Sequence, residues 1–310
     1  MRRRTIAAVL GATIAVLTSV LGTSTAQAKD LGYDLPEAGV FLEGIGLDDA
    51  TKTIYVSATN RDGTIYRGRV GDERLTVWQG PRPGDNGRGI DVDGAGRVYV
   101  AGGPSAEVRV FSREGKLLAE LPTGEEGSFL NDVRIGPDGA AYVTDSSLPR
   151  IWRVSADKTG KWTIERWLDV SGTITYTPSL TDFDLGGIVT TGGSVVTAQG
   201  TTGQLWRIDL ATKAITEIAI DGPAMTNADG LVLHGHDLYV VQNFSRIITK
   251  LRLGDDAATA RTEETISTPA DRTFTTAKEE GGRLLVVDSK FGFPVDKAVA
   301  TDRVVPVKRF

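Results

Sequence analysis

Short apolar runs rich in β-branched and aromatic residues recur along this chain behind turns that carry Asp or Gly. Gly44-Ile45 leads through Asp48-Asp49 to Ile54-Tyr55-Val56, and Gly89-Ile90 through Asp93-Gly94 to Val98-Tyr99-Val100. Asp132-Val133 leads through Pro137-Asp138-Gly139 to Ala141-Tyr142-Val143, and Gly187-Ile188 through Gly192-Gly193 to Val195-Val196. Gly230-Leu231 leads through His234-Gly235 to Leu238-Tyr239-Val240, and Thr275-Thr276 through Gly281-Gly282 to Leu285-Val286-Val287. Each unit reads as a hairpin, because Asp-Gly and Gly-Gly supply the positive φ of a tight turn. A third strand is predicted after most of them, as at Thr64–Arg67, Val108–Phe111, Arg150–Arg153, Gln204–Arg207 and Ile247–Lys250. A fourth is predicted at Leu75–Trp78, Ile164–Trp167 and Ile215–Ile218.

Six such units predict an all-β chain folded as a six-bladed β-propeller. The anchors Gly44, Gly89, Asp132, Gly187, Gly230 and Thr275 are near-equally spaced, except for one longer step that places an insertion at Ser171–Ser179. A β-sandwich also has regular strand spacing, but six near-equal four-strand units fit it less well.

The first residues break the pattern. Arg2, Arg3 and Arg4 precede an uncharged run from Ile6 to Leu21, and Ala26-Gln27-Ala28 has the small-x-small form of a cleavage site. This is the layout of a signal peptide over residues 1–28, leaving 29–310 as a single propeller domain. The run is shorter than the roughly 20 residues that span a bilayer. A secreted protein is expected, whether in the cell envelope or outside the cell. The paired arginines allow a twin-arginine export route as well as the general one.

Loss of the leader takes the net charge from −5 to −8. An acidic chain of this kind is expected to bind no nucleic acid, which needs a basic face, and no membrane after cleavage. A monomer acting on a small-molecule substrate or ligand is the expected form. The chain has no Cys and only two His, His234 and His236. That excludes a thiolate nucleophile, a Cys-ligated zinc and a three-His zinc site. There is also no Gly-x-Ser-x-Gly nucleophile elbow. A site here must be built from carboxylates, amides and hydroxyls.

In a propeller the innermost strands line a central channel, so the residue before each anchor should face one mouth of it. Those residues are Glu43, Arg88, Asn131, Gly186, Asp229 and Phe274. Glu43, Asn131 and Asp229 are oxygen donors. Two carboxylates brought together repel unless a positive charge lies between them. A hard cation suits that arrangement: Ca²⁺ first, with Zn²⁺, Mg²⁺ or Mn²⁺ as alternatives. The same residues also serve as ordinary strand starts bonded to backbone and water.

Leu42-Glu43-Gly44, the segment FLNDVRIGPDGAAYVTDS around Leu130-Asn131-Asp132, and NADGLVLHGHDLYVVQN around Ala228-Asp229-Gly230 resemble motifs of the SMP-30/gluconolactonase/LRE-like family, also called regucalcin-like. The resemblance runs from about Val40 to the last blade. It implies a six-bladed propeller with one divalent metal on the channel axis and, in several members, hydrolysis of sugar lactones or related esters. It implies Glu43 as a metal ligand, and Asp229 as both ligand and general base. Asn131 would face the metal's water or the substrate. Two positions depart from the family. Its fourth-blade Asn ligand is Gly186 here, with Asp184 two residues earlier either reaching the channel as a further metal ligand beside Glu43, Asp229 and Asn131, or capping a loop. The place of the sugar-lactone members' Arg is held by Phe129, which argues against a sugar-acid substrate.

The reading that follows is an exported, divalent-metal-dependent lactonase or esterase. Water attacks the carbonyl, Asp229 takes its proton, and Arg88 balances negative charge on the substrate or the oxyanion. Arg88 would otherwise be a surface arginine paired with an acid. Asp145, Gln199, Asn243 and Asp288 end strands that return to the same face, and form either a specificity rim or turn closures. Asp91–Gly96 fits a hairpin turn better than a calcium loop. The alternatives are a non-catalytic propeller that binds a ligand or protein at the channel mouth, and one running a different reaction there, such as a lyase or condensation.

Overall fold

The computed structural model describes residues 32–177 and 183–310, so the leader at 1–28 and the end of the predicted insertion, 178–179, lie outside it. Six sheets, antiparallel but for one added edge strand, follow one another along the chain. Blade one holds β1 (Leu42–Asp48), β2 (Thr53–Ala58), β3 (Ile65–Arg69) and β4 (Thr76–Gln79). Blade two holds β5 (Ile90–Val92), β6 (Val98–Ala101), β7 (Glu107–Phe111) and β8 (Leu117–Pro122). Blade three holds β9 (Leu130–Ile135), β10 (Ala141–Asp145), β11 (Arg150–Ala156) and β12 (Trp162–Asp169). Blade four holds β13 (Leu185–Thr191), β14 (Ser194–Gln199), β15 (Gln204–Asp209) and β16 (Ile215–Glu217). Blade five holds β17 (Ala219–Asp221), β18 (Ala228–His234), β19 (Asp237–Gln242), β20 (Ile247–Leu253) and β21 (Thr259–Ser267). Blade six holds β22 (Phe274–Glu280), β23 (Arg283–Asp288) and β24 (Val304–Lys308).

Two blades depart from the four-strand expectation. β17 runs parallel to β21 and adds a fifth strand to blade five. Blade six has three strands, and the segment ahead of blade one completes it: Tyr33 pairs antiparallel with Val304, with Tyr33 N donating to Val304 O at 2.8 Å. Arg303, fully buried, ties the seam by donating to Val40 O at 2.8 Å and to Asp288 O at 2.9 Å.

The apolar runs are explained by packing. Each blade is sandwiched between two others, so both faces of its middle strands are buried and alternate residues serve opposite interfaces. In β2, Ile54 and Val56 pack against blade six while Tyr55 packs against blade two. The buried apolar residues fall into six clusters, one at each blade–blade interface. The described part of the insertion is anchored the same way. Ile174 is buried between blades three and four, and the Tyr176 hydroxyl donates to Asp145 O at 2.7 Å.

Candidate functional site

The innermost strands carry a repeated irregularity. β1, β9, β13, β18 and β22 each lose register with the next strand at the anchor position, between Leu42 and Ile45 in β1 and between Ala228 and Leu231 in β18. A bulge re-aims the side chain it displaces. Here it turns Glu43, Asn131 and Asp229 toward the channel and leaves the Gly186 backbone facing it. The glycine that follows lets neighbouring blades touch backbone to backbone. A Cβ on Gly44 would lie 2.2 Å from Arg88 O, and one on Gly187 would lie 2.2 Å from Asp229 O.

Five of the six pre-anchor residues line one cavity of about 290 Å³: Glu43, Arg88, Asn131, Gly186 and Asp229. The exception corrects the sequence reading of blade six. Phe274 pairs with Asp288 as Ala228 pairs with Gln242, so the residue equivalent to Asp229 is Thr275. Phe274 is buried in the interface between blades five and six. The shift by one residue moves a side chain to the opposite face. Thr275 is buried and donates to Glu43 O at 2.8 Å, linking blade six to blade one.

The floor of the cavity concentrates charge. Glu43 is 5% exposed, and its Oε2 has no hydrogen-bond partner. Burial, then the nearby Asp229 carboxylate, push the Glu43 carboxyl well above its usual range, against the pull of Arg88. Burial likewise raises Asp229 to about 7, opposed by the hydrogen bond from Asn243 and by Arg88. Asp132, just beneath, accepts from Ile188 N at 3.1 Å and is raised by burial as well. Arg88 is the positive group of the mouth. Its Nε donates to Asn86 Oδ1 at 3.1 Å, and its guanidinium lies 4.9 Å from the Phe129 ring centre and 5.8 Å from that of Phe291.

Asp184 also lines the cavity, but its carboxylate is occupied. One oxygen accepts from Gln199 Nε2 at 2.8 Å and from the Thr201 hydroxyl, and the other from Thr177 N at 2.7 Å. Asp184 therefore fastens the insertion to blade four. Asp145 and Gln199 are closures of the same kind, each accepting an indole N–H, from Trp152 and Trp206. Asp288 is fully buried beside Arg272 and Lys290. Of the four strand-end residues, Asn243 alone lines the cavity, donating to Asp229 Oδ2 at 2.8 Å. His234 and His236 flank the turn at the far end of β18, remote from this mouth. Asp93 accepts from Ala95 N and Arg97 N, as a hairpin turn requires.

The fold is one shared with regucalcin and gluconolactonase propellers. The structure superposes on a calcium-binding regucalcin from Agrobacterium tumefaciens with a TM-score of 0.64 at 15% identity, covering 91% of this chain and 94% of that one. A gluconolactonase from Xanthomonas campestris gives 0.60 at 18% identity over 83% and 85%. A virginiamycin B lyase from Staphylococcus aureus gives 0.59 at 16% identity over 82% and 80%. No protein-family model matches the sequence, and no curated protein is significantly similar to it.

The donor set accommodates a hard cation. The bare, buried Oε2 of Glu43 lacks any proton donor, and carboxylates and an amide are oxygen ligands of the kind Ca²⁺ takes. Glu43, Asp229 and Asn131 would hold it. No cluster of three or more His, Cys, Asp or Glu residues suited to a metal occurs among the described residues. Glu43 and Asp229 offer carboxylates to the cavity and Asn131 an amide, while Gly186 offers no side-chain donor.

The sequence reading passed over four rings that surround this floor: Phe183, Phe244 and Phe291, together with Phe41 behind them. They sit on connections, where strand periodicity carries no signal.

Proposed function

We propose that this protein is a hydrolase of lactones or related esters, exported and dependent on a divalent cation, with Ca²⁺ the first choice. One observation carries the reading. Glu43, with its unpartnered oxygen, Asp229 and Asn131 converge at the floor of a cavity of about 290 Å³, at the small end of the range for small-molecule sites. When bound, the cation would polarise the substrate carbonyl and make water more acidic.

The chain's own groups do the rest. Asp229 is the base that takes a proton from the attacking water. Asn243 orients that carboxylate. The Asn131 amide holds the water or the carbonyl in line. Arg88 offsets negative charge as the ring oxygen leaves. The water oxygen bonds to the carbonyl carbon, the acyl–oxygen bond breaks, and the proton held by Asp229 passes to the departing alkoxide.

The lyase neighbour offers another chemistry. One such lyase from Staphylococcus aureus is inactive when a single histidine is replaced by alanine. The two histidines here lie at the far end of β18, so a histidine-based elimination has no support in this cavity. A binding propeller without turnover is the second reading, favoured by the missing ligand at Gly186.

The test is turnover of a lactone panel by the wild-type protein and Asp229→Ala, each with and without chelator. Turnover lost in both the variant and the chelated protein supports the proposal. Turnover indifferent to both overturns it.

A further inference from the structure

The polar floor sits inside an aromatic collar. Phe183 and Phe129 stack with ring centres 4.6 Å apart, Arg88 covers Phe129, and Phe291 continues on the other side of Arg88 to Phe41, 6.2 Å away edge-on. Phe244 lies across the turn, 3.8 Å from where a Cβ on Gly292 would stand. These residues precede an inner strand or follow a returning one in blades one, three, four, five and six, so the collar is assembled from five separate connections.

Two of the rings are not buried by the protein itself. Phe183 is 40% exposed and Phe244 is 59% exposed, and both line the cavity. Two polar groups at the same rim are already engaged. The Thr201 hydroxyl donates to Asp184, and the Asn227 amide donates to the Ser245 hydroxyl at 2.9 Å. A polyhydroxylated ring entering here would give up its water hydrogen bonds to face phenyl groups, an unfavourable exchange. An alkyl or aryl arm would instead remove its own surface and the exposed phenylalanine faces from water.

We propose that the collar selects an apolar lactone or ester, with an alkyl or aryl arm lying against Phe129, Phe183 and Phe244, over a sugar lactone. This rests on the hydrolase reading for the carbonyl's position at Glu43, Asp229 and Asn131. The affinity of the collar for the arm is separable from turnover.

The experiment therefore measures binding and hydrolysis separately. Asp229→Asn protein is titrated calorimetrically, with Ca²⁺ present, with γ-butyrolactone, γ-nonalactone and glucono-δ-lactone. The nonalactone is expected to bind about tenfold tighter or more than the butyrolactone, the gain expected of several partly buried methylenes. Glucono-δ-lactone is expected to bind most weakly. Phe183→Ala and Phe244→Ala, both at exposed positions, are each expected to shrink the chain-length preference to about threefold or less. Equal affinity for the two aliphatic lactones, tighter binding of the sugar lactone, or no binding of any of them overturns the proposal. Wild-type protein that binds nonalactone but does not open it overturns the hydrolase reading and leaves the apolar collar standing.

Discussion

Asn243 donates its side-chain amide to Asp229 Oδ2 at 2.8 Å, which ties the turn after β19 to the base of the cavity. This bond favours the charged carboxylate and so works against burial. Asn243→Ala removes it. The acid limb of the kcat/KM profile is expected to move to higher pH, with activity recovering in alkaline buffer. A limb that stays in place would detach Asn243 from the base.

Asp229 also sets a pH dependence of stability in chelated protein. Its folded pKa, about 7, lies above the ordinary carboxylate value, so the folded state holds the proton more tightly than the unfolded state. The stabilisation is complete below the unfolded value and disappears as pH rises through 7. Asp229→Asn is therefore expected to be more stable than the wild type at pH 8, by about 1–3 kcal/mol, and to lose that advantage by pH 4. Chemical denaturation of both proteins across that range checks the sign.

The vacant fourth-blade position is open to repair. A Cβ on Gly186 would meet nothing nearer than Asp229 O at 3.5 Å, whereas one on Gly187 would lie 2.2 Å from the same atom. Gly186→Asn is expected to fold and to bind Ca²⁺ about tenfold more tightly by adding an oxygen ligand. Gly187→Ala is expected to cost about 3 kcal/mol or to prevent folding. Calorimetry and thermal melts on the pair separate ligand supply from crowding.

Glu43 and Asp184 should differ when neutralised. Glu43→Gln removes the carboxylate with the free oxygen, and Ca²⁺ affinity is expected to fall at least about tenfold with little change in Tm. Asp184→Asn replaces an oxygen that accepts from Gln199, Thr201 or Thr177 N with an amide donor. A loss of about 2–3 kcal/mol in stability is expected there, with Ca²⁺ affinity nearly unchanged. A drop in affinity for Asp184→Asn would return that residue to the ligand set.

The propeller was legible because its blades bury both faces of their middle strands, so Ile54-Tyr55-Val56 and its counterparts stand out as apolar runs at a fixed interval. The cavity residues were legible because each stands just before its anchor, and in four of the five cases a bulge marks the place. The reading slipped at Phe274, where two threonines replace the usual glycine and the register could be set either way. Asp184 and Asn243 both looked like strand-end polar residues, and only their hydrogen bonds distinguish a loop fastener from a group at the base. The collar was invisible for a different reason. Its phenylalanines are scattered over five connections, and only the closed ring makes them neighbours.

The seam between Tyr33 and Val304 gives the molecule a direction of assembly. Residues more than 260 positions apart must meet before blade six is whole, and Arg303 cannot reach Val40 O until nearly all of the chain is available. Five blades can stack as they appear, yet the mouth needs Thr275 against Glu43 to complete its circle. The cavity is therefore closed only where blade six meets blade one. Loss of β24 would remove the strand that Tyr33 pairs with, and with it the seam that closes the ring.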